Sequence, residues 1–343
     1  MNTVPQLSPI NTSLVAEPDE TLVNFCEAYK QRMVAHDLVD QLNHMIKAVQ
    51  KHRGISMGLL AGNSVFEKDF QVLQQQLQKR IAILEAFAIK SGGLLSSRDQ
   101  QNLHSEWQTI RDGWQDDRLS ENFELHSHFI EQLLAMVLKL AKIIEHPVGS
   151  MLTASGVIFD NTLNPQVGEN KDGPEQENEE WNYIKRANKI EVLSFVCAQL
   201  PEMIEFMAKI RGLATYAAAS GNSGGDLGRK LRFLLDCTRD RNEKLRHCAT
   251  RLQKNVSVNY KTLTFIGELE TRFIYLLSLV ENHVLSNAGG KTTASKIFEL
   301  ATSFIDSYWS IVDEGMAIVR AYQGEELEAW FTQNSTQGHA LYI

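Results

Sequence analysis

Cysteine is scarce in this chain: Cys26, Cys197, Cys237 and Cys248 are the only four in 343 residues, and none stands in C-x-x-C spacing. That excludes a disulfide scaffold and a cysteine-built zinc site. With no signal-peptide pattern ahead of them, they are expected to be reduced, small core residues of a cytoplasmic protein. Uninterrupted apolar runs are missing as well. The longest candidate, Phe129 to Ile144, is broken by Glu131, Gln132, Lys139 and Lys142, whereas a membrane span needs roughly 18 to 20 apolar residues. Charge of one sign is sparse once position is considered. The formal net charge is −8, yet six acids against the single Lys171 fall in Glu169–Glu180. The remainder is close to neutral and carries neither a nucleic-acid footprint nor a polybasic membrane patch. The one basic stretch, Arg229 to Arg246, has Asp236, Asp240 and Glu243 interspersed and reads as a solvated helix face.

Catalytic signatures are equally absent. There is no P-loop, G-x-G-x-x-G or G-x-S-x-G motif. His44, His52, His104, His126 and His128 supply no metal spacing, and His126 and His128, two positions apart, point to different faces of a helix. Leu125 rather than a glutamate precedes His128, so the Glu-x-x-His pairs of a di-iron bundle are not there. The chain is expected not to be an enzyme and to hold no metal or cofactor.

What is present is helix. Hydrophobic residues make up 43% of the chain, enough for real cores, and they keep helical spacing with no useful strand-like alternation. An N-terminal arm, 1–20, contains Pro5, Pro9 and Pro18. Four helices are then predicted: 21–61; 65–89, stopped by Gly92-Gly93; one opening at Ser97 with Gln100 in capping-box position; and 120–146, halted by Pro147. An acidic linker, 147–180, leads to a second set at about 181–220, 227–254, 259–286 and 293–331, with a tail at 332–343. Pro201 is expected to kink or divide the first of these. The fold class is all-α, two tandem four-helix bundles (21–146 and 181–331) related by an internal repeat.

The repeat is carried by two segments, VQKHRGISMGLLAGNSVFE from Val49 and MAKIRGLATYAAASGNSGGD from Met207. Arg53-Gly54 and Arg211-Gly212 are offset by 158 residues, and the two Gly-Asn-Ser triplets by 159. Each segment reads as helix, tight turn, helix, with Ser64–Glu67 and Ser223–Asp226 as capping boxes. The arginines break the pattern. Projected on a helix, Arg53 lies mid-stripe among Leu42, Ile46, Val49, Met57 and Leu60, and Arg211 sits similarly near Ile204, Met207 and Ala218. An unpaired buried guanidinium costs several kcal/mol, of order, so each needs an internal carboxylate, a route to water along its alkyl stem, or an anionic ligand. The recurrence in both copies, with the small residues Gly54, Ser56, Gly212 and Ala214 following, favours a ligand. The glycines would also permit close approach of a neighbouring backbone.

The run QKHRG, small and apolar residues, AGNS, then a glutamine-rich helix with Gln78-Lys79-Arg80 resembles the nitrate- and nitrite-sensing (NIT) domain of bacterial signalling proteins. The resemblance spans roughly Leu22 to Trp330, with His52 where that family usually has glutamate. It implies a pair of four-helix bundles, nitrate or nitrite as ligand, and signalling. The residues after the last helix, Thr332–Ile343, are too few for an output module, so output is expected through a protein partner or a homodimer interface. Arg53 and Arg211 are the leading anion-binding residues, because a guanidinium offers a planar fork that a planar oxyanion can take bidentately. Arg80, on an apolar face with Leu73, Leu77 and Leu84, ranks next. Its counterpart is Arg239 by strict offset or Arg241 by its apolar neighbours. The rival expectation is a non-enzymatic helical scaffold whose arginines form structural ion pairs.

Overall fold

A computed structural model of the chain describes residues 20–146, 185–255, 260–288 and 290–338, and every regular element among them is helical. The first half holds α1 (Glu20–Leu60), α2 (Glu67–Lys90), α3 (Ser97–Arg111) and α4 (Leu119–Glu145). The second holds α5 (185–220), α6 (Gly225–Asn255), α7 (Phe265–Leu279, continued by the π-turn Val280–Val284) and α8 (Lys291–Gly338). The expected acidic linker and nearly all of the N-terminal arm lie outside the described residues. The expected tail begins inside α8, which continues to Gly338.

The Gly-Asn-Ser turns end their helices as expected, but the following caps differ. Gly62 and Gly221 take left-handed φ of 79° and 67°, a conformation that favours glycine. After α1, Gly62 N–H donates to Leu59 O and Asn63 N–H to Gly58 O, the paired bonds that close a helix on a left-handed residue. Ser64 forms no capping box with Glu67; the Asn63 side chain accepts from Val65 N–H and a short 3₁₀ turn, Ser64–Phe66, precedes α2. Ser223 is likewise occupied elsewhere, donating its hydroxyl to Asn287 Oδ1 at 2.6 Å. The box at α3 does form, one residue earlier than read from the sequence, between Ser96 and Asp99.

Pro201 does not divide α5. A π-turn at Phe195–Gln199 precedes it, with Leu200 N–H donating to Phe195 O. The widened turn accommodates a residue that has no N–H and whose ring crowds the carbonyl four positions back. Helix therefore continues from 185 to Ser220.

In the first half α1 packs on α2 and α4, and in the second α5 packs on α6 and α8. The two sets are not separate bodies. One apolar cluster runs through both, from Leu38 and Ile46 through Met203 and Ile204 to Phe304 and Val312, and α1 lies directly against α5. A small satellite core, with Phe25 stacked on Trp330 at 3.9 Å, ties the start of α1 to the end of α8. Of the cysteines only Cys197 is buried; Cys26 is exposed, and Cys237 and Cys248 are half-buried, which corrects the expectation of four core thiols.

Candidate functional site

The two Arg-Gly dipeptides meet where α1 crosses α5. A Cβ at Gly212 would fall 3.8 Å from Gly54 Cα and 2.8 Å from Met57 Sδ. One at Gly54 would lie 2.9 Å from Phe298 Cε2 and 3.2 Å from Arg211 Nε. Glycine is what lets these helices approach closely enough to bring both guanidiniums into one buried layer.

Arg53 is 0% and Arg211 1% exposed, yet their partners differ. Arg53 donates bidentately to Glu205, Nη1 to Oε1 at 2.7 Å and Nη2 to Oε2 at 3.1 Å, and also to Ser127 Oγ at 3.0 Å. Gln50 Nε2 donates to the same carboxylate at 2.9 Å. The sequence-level preference for a ligand is thus corrected for Arg53, whose counter-ion is an internal carboxylate supplied by α5. Among the described residues, no carboxylate forms an ion pair with Arg211. It donates to Thr302 Oγ1 at 2.9 Å and to the Gln50 carbonyl at 2.7 Å, and its Nε has no hydrogen-bond partner. Burial and the neighbouring Arg53 pull the Arg211 pKa down to about 9, against the weaker opposing pull of Asp306 and Glu205, which leaves it charged at neutral pH.

A second internal repeat, not read from the sequence, underlies this arrangement. NFELHSHFI on α4 (122–130) matches IFELATSFI on α8 (297–305). Arg53 lies over Phe123 and bonds Ser127, while Arg211 lies over Phe298 and bonds Thr302. Each guanidinium is therefore seated on a phenylalanine face and held by the hydroxyl one turn on. The symmetry fails at the carboxylate. At the 158-residue offset Glu205 corresponds to Lys47, and Lys47 pairs outward with Asp306 at 3.1 Å. Two buried guanidiniums accordingly share one buried carboxylate. Lys209, one turn beyond Glu205 and 3.8 Å from it, is drawn toward the rim by Glu131 at 3.1 Å.

His52 and His126, which show no metal spacing in the sequence, form a fully buried pair beside Arg53, Nδ1 to Nε2 at 2.8 Å. His126 Nδ1 donates to the Asn122 carbonyl at 2.7 Å, so His126 Nε2 accepts and His52 Nδ1 is the donor. His52 Nε2 is left without a partner. Burial holds both rings neutral, pushing the pKa of His126 down to about 3 and that of His52 well below its ordinary value. His126 and His128 do face different ways, the first buried and the second exposed. Among the described residues no group of three or more His, Cys, Asp or Glu is placed to hold a metal ion.

The secondary arginines are not part of this layer. Arg239 is on the surface, paired with Asp236 at 3.1 Å and Glu281 at 2.7 Å. Arg241 pairs with Glu202 at 2.6 Å and lies over Phe206. Arg80 is half-buried on α2, and no hydrogen bond or ion pair among the described residues joins it to Arg53 or Arg211. A cleft of about 670 Å³ does adjoin Arg211, sharing Phe298 and Thr302 with it. Its charged lining is mostly acidic, Asp69, Glu299 and Asp306 against Lys51, so the cleft adjoins the cationic layer without extending it.

No protein-family model, curated protein or solved structure matches this chain. Among the described residues, no helix is long and apolar enough to cross a membrane.

Proposed function

We propose that this chain is a non-enzymatic sensor of a small monovalent oxyanion, nitrate or nitrite, which it binds where α1 crosses α5 with Arg211 as the principal donor. The observation that carries this reading is the charge imbalance: Arg53 and Arg211 are both buried, Glu205 is the only buried carboxylate among the described residues, and Asp306, the other acid acting on Arg211, is half-exposed and paired with Lys47. A buried charge without a counter-ion is costly, and one monovalent anion balances this layer. Arg53 would reach the anion only by sharing or exchanging Glu205. The resemblance in the QKHRG and AGNS segments supplies the chemical class. Arg80, Arg239 and Arg241 take no part.

Binding would relieve repulsion between guanidiniums contributed by two halves of the molecule, and so bias how α1 and α5 pack. Micromolar affinity is about 8 kcal/mol, and moving a two-state balance from 1:99 to 99:1 takes about 5.5 kcal/mol of differential binding, so the energy is sufficient. The signal would pass to a protein partner or across a homodimer in the cytoplasm. The Arg53–Glu205 pair favours the competing reading, a helical scaffold with structural ion pairs, which predicts indifference to anions.

Thermal unfolding against nitrate, nitrite, chloride and sulfate at fixed ionic strength separates the two. At a hundredfold excess over the dissociation constant, native-state binding adds about 2.7 kcal/mol. A rise specific to nitrate or nitrite and diminished in Arg211→Ala is expected; a flat wild-type response overturns the sensor reading.

A further inference from the structure

The same unbalanced arrangement occurs a second time, nearer the start of α1. Arg32 on α1 and Lys189 on α5 are each 1% exposed, and both bond one carboxylate, Glu326 of α8, at 3.2 Å and 2.6 Å. Arg32 precedes Arg53 by 21 residues and Lys189 precedes Arg211 by 22. The π-turn Phe195–Gln199 lies between the latter two, and a turn closed over five residues rather than four accounts for the extra one. Lys189 is therefore the repeat's equivalent of Arg32, just as Arg211 is of Arg53.

The polar atoms around this pair are incompletely used. Arg32 spends only Nη1 on Glu326; its Nε and Nη2 have no hydrogen-bond partner. Those two N–H groups project from the same side of the guanidinium, which is the fork a planar oxyanion takes bidentately. His36, one turn from Arg32, and Gln323, one turn from Glu326, are fully buried and face each other without a hydrogen bond of ordinary geometry. Water could satisfy such groups but would not balance two buried cations against one half-exposed carboxylate. Burial, with Arg320 and Lys189 nearby, drives the His36 pKa down to about 4, so this ring adds no charge and can offer one N–H.

We propose that Arg32, Lys189, His36 and Gln323 form a second anion site, specific for a small monovalent carboxylate or oxyanion, distinct from the Arg53–Arg211 layer. It rests on its own residues and stands whether or not the first layer senses nitrate.

The test uses the full chain carrying Arg211→Met, titrated with sodium nitrate and sodium formate at fixed ionic strength while unfolding is followed. A saturable stabilisation that persists in Arg211→Met and disappears when Lys189→Met is added is expected. Crystals of the wild-type chain soaked in bromide, which need no variant to fold, should show an anomalous peak between Arg32 and Lys189. A flat response in Arg211→Met together with no bromide at that position overturns the second site. Failure of the sensor reading would register separately, as a wild-type nitrate response that Arg211→Met leaves unchanged.

Discussion

Replacing Glu205 by glutamine removes one charge and almost no volume from the crossing of α1 and α5. In the wild type the carboxylate accepts from Arg53 Nη1 and Nη2 and from Gln50 Nε2. In Glu205→Gln the new amide nitrogen must face at least one of those donors, and Arg53 and Arg211 remain buried with no carboxylate between them. Removing one partner of a buried ion pair costs about 3 to 5 kcal/mol, and the adjoining Arg211 places the effect toward the upper end. Urea unfolding at pH 7 and low chloride should show a loss of that size. If the layer accepts small anions, nitrate should then restore more stability to the variant than it adds to the wild type, because two guanidiniums would lack a counter-ion instead of one. A loss below about 1 kcal/mol, typical of a solvent-exposed pair, would refute the account of the layer as dry. A full loss with no selective nitrate rescue would keep the ion pair but refute its exchange with a ligand.

Other outcomes follow from the same geometry. His52 and His126 are neutral in the fold with depressed pKa values, so the unfolded chain binds the additional protons. Their contribution is complete above the unfolded pKa of about 6.5 and is lost as pH falls from there toward about 3 for His126. Each histidine then contributes a slope approaching 1.4 kcal/mol per pH unit, of order; His126→Asn should flatten the stability profile between pH 6.5 and 5, and coincident wild-type and variant profiles would rule this out. Gly54→Ala, whose Cβ would lie 2.9 Å from Phe298 and 3.2 Å from Arg211 Nε, should destabilise by about 1 to 3 kcal/mol through overpacking despite alanine's better helix propensity; unchanged or increased stability in urea would show that the crossing is looser than described. Arg239→Ala, which removes only surface pairs with Asp236 and Glu281, should change stability by less than about 1 kcal/mol and leave any anion response intact; a lost response would return Arg239 to the site.

The resemblance between 49–67 and 207–226 was legible because both segments must build the same helix, left-handed turn and helix, and that requirement falls on neighbouring residues: apolar spacing, then glycine at a positive φ. The arginines stood out for a related reason, since one helical projection suffices to place a charge on an apolar face. A second local signal, NFELHSHFI against IFELATSFI, was equally available and would have named Phe123, Ser127, Phe298 and Thr302 as the seats of the two guanidiniums.

The amino-acid sequence by itself determined that the chain is helical, that it doubles one unit, and that buried guanidiniums sit beside glycine in both copies, because periodicity, turn chemistry and propensity act over a few residues. Only the tertiary structure decided what each guanidinium meets. Glu205 reaches Arg53 across 152 positions of chain, His52 finds His126 across 74, and Lys47 in the place equivalent to Glu205 leaves Arg211 without a carboxylate. Those pairings depend on which side chains the packing of α1, α4, α5 and α8 brings within about 3 Å of one another, a distance that no local pattern encodes.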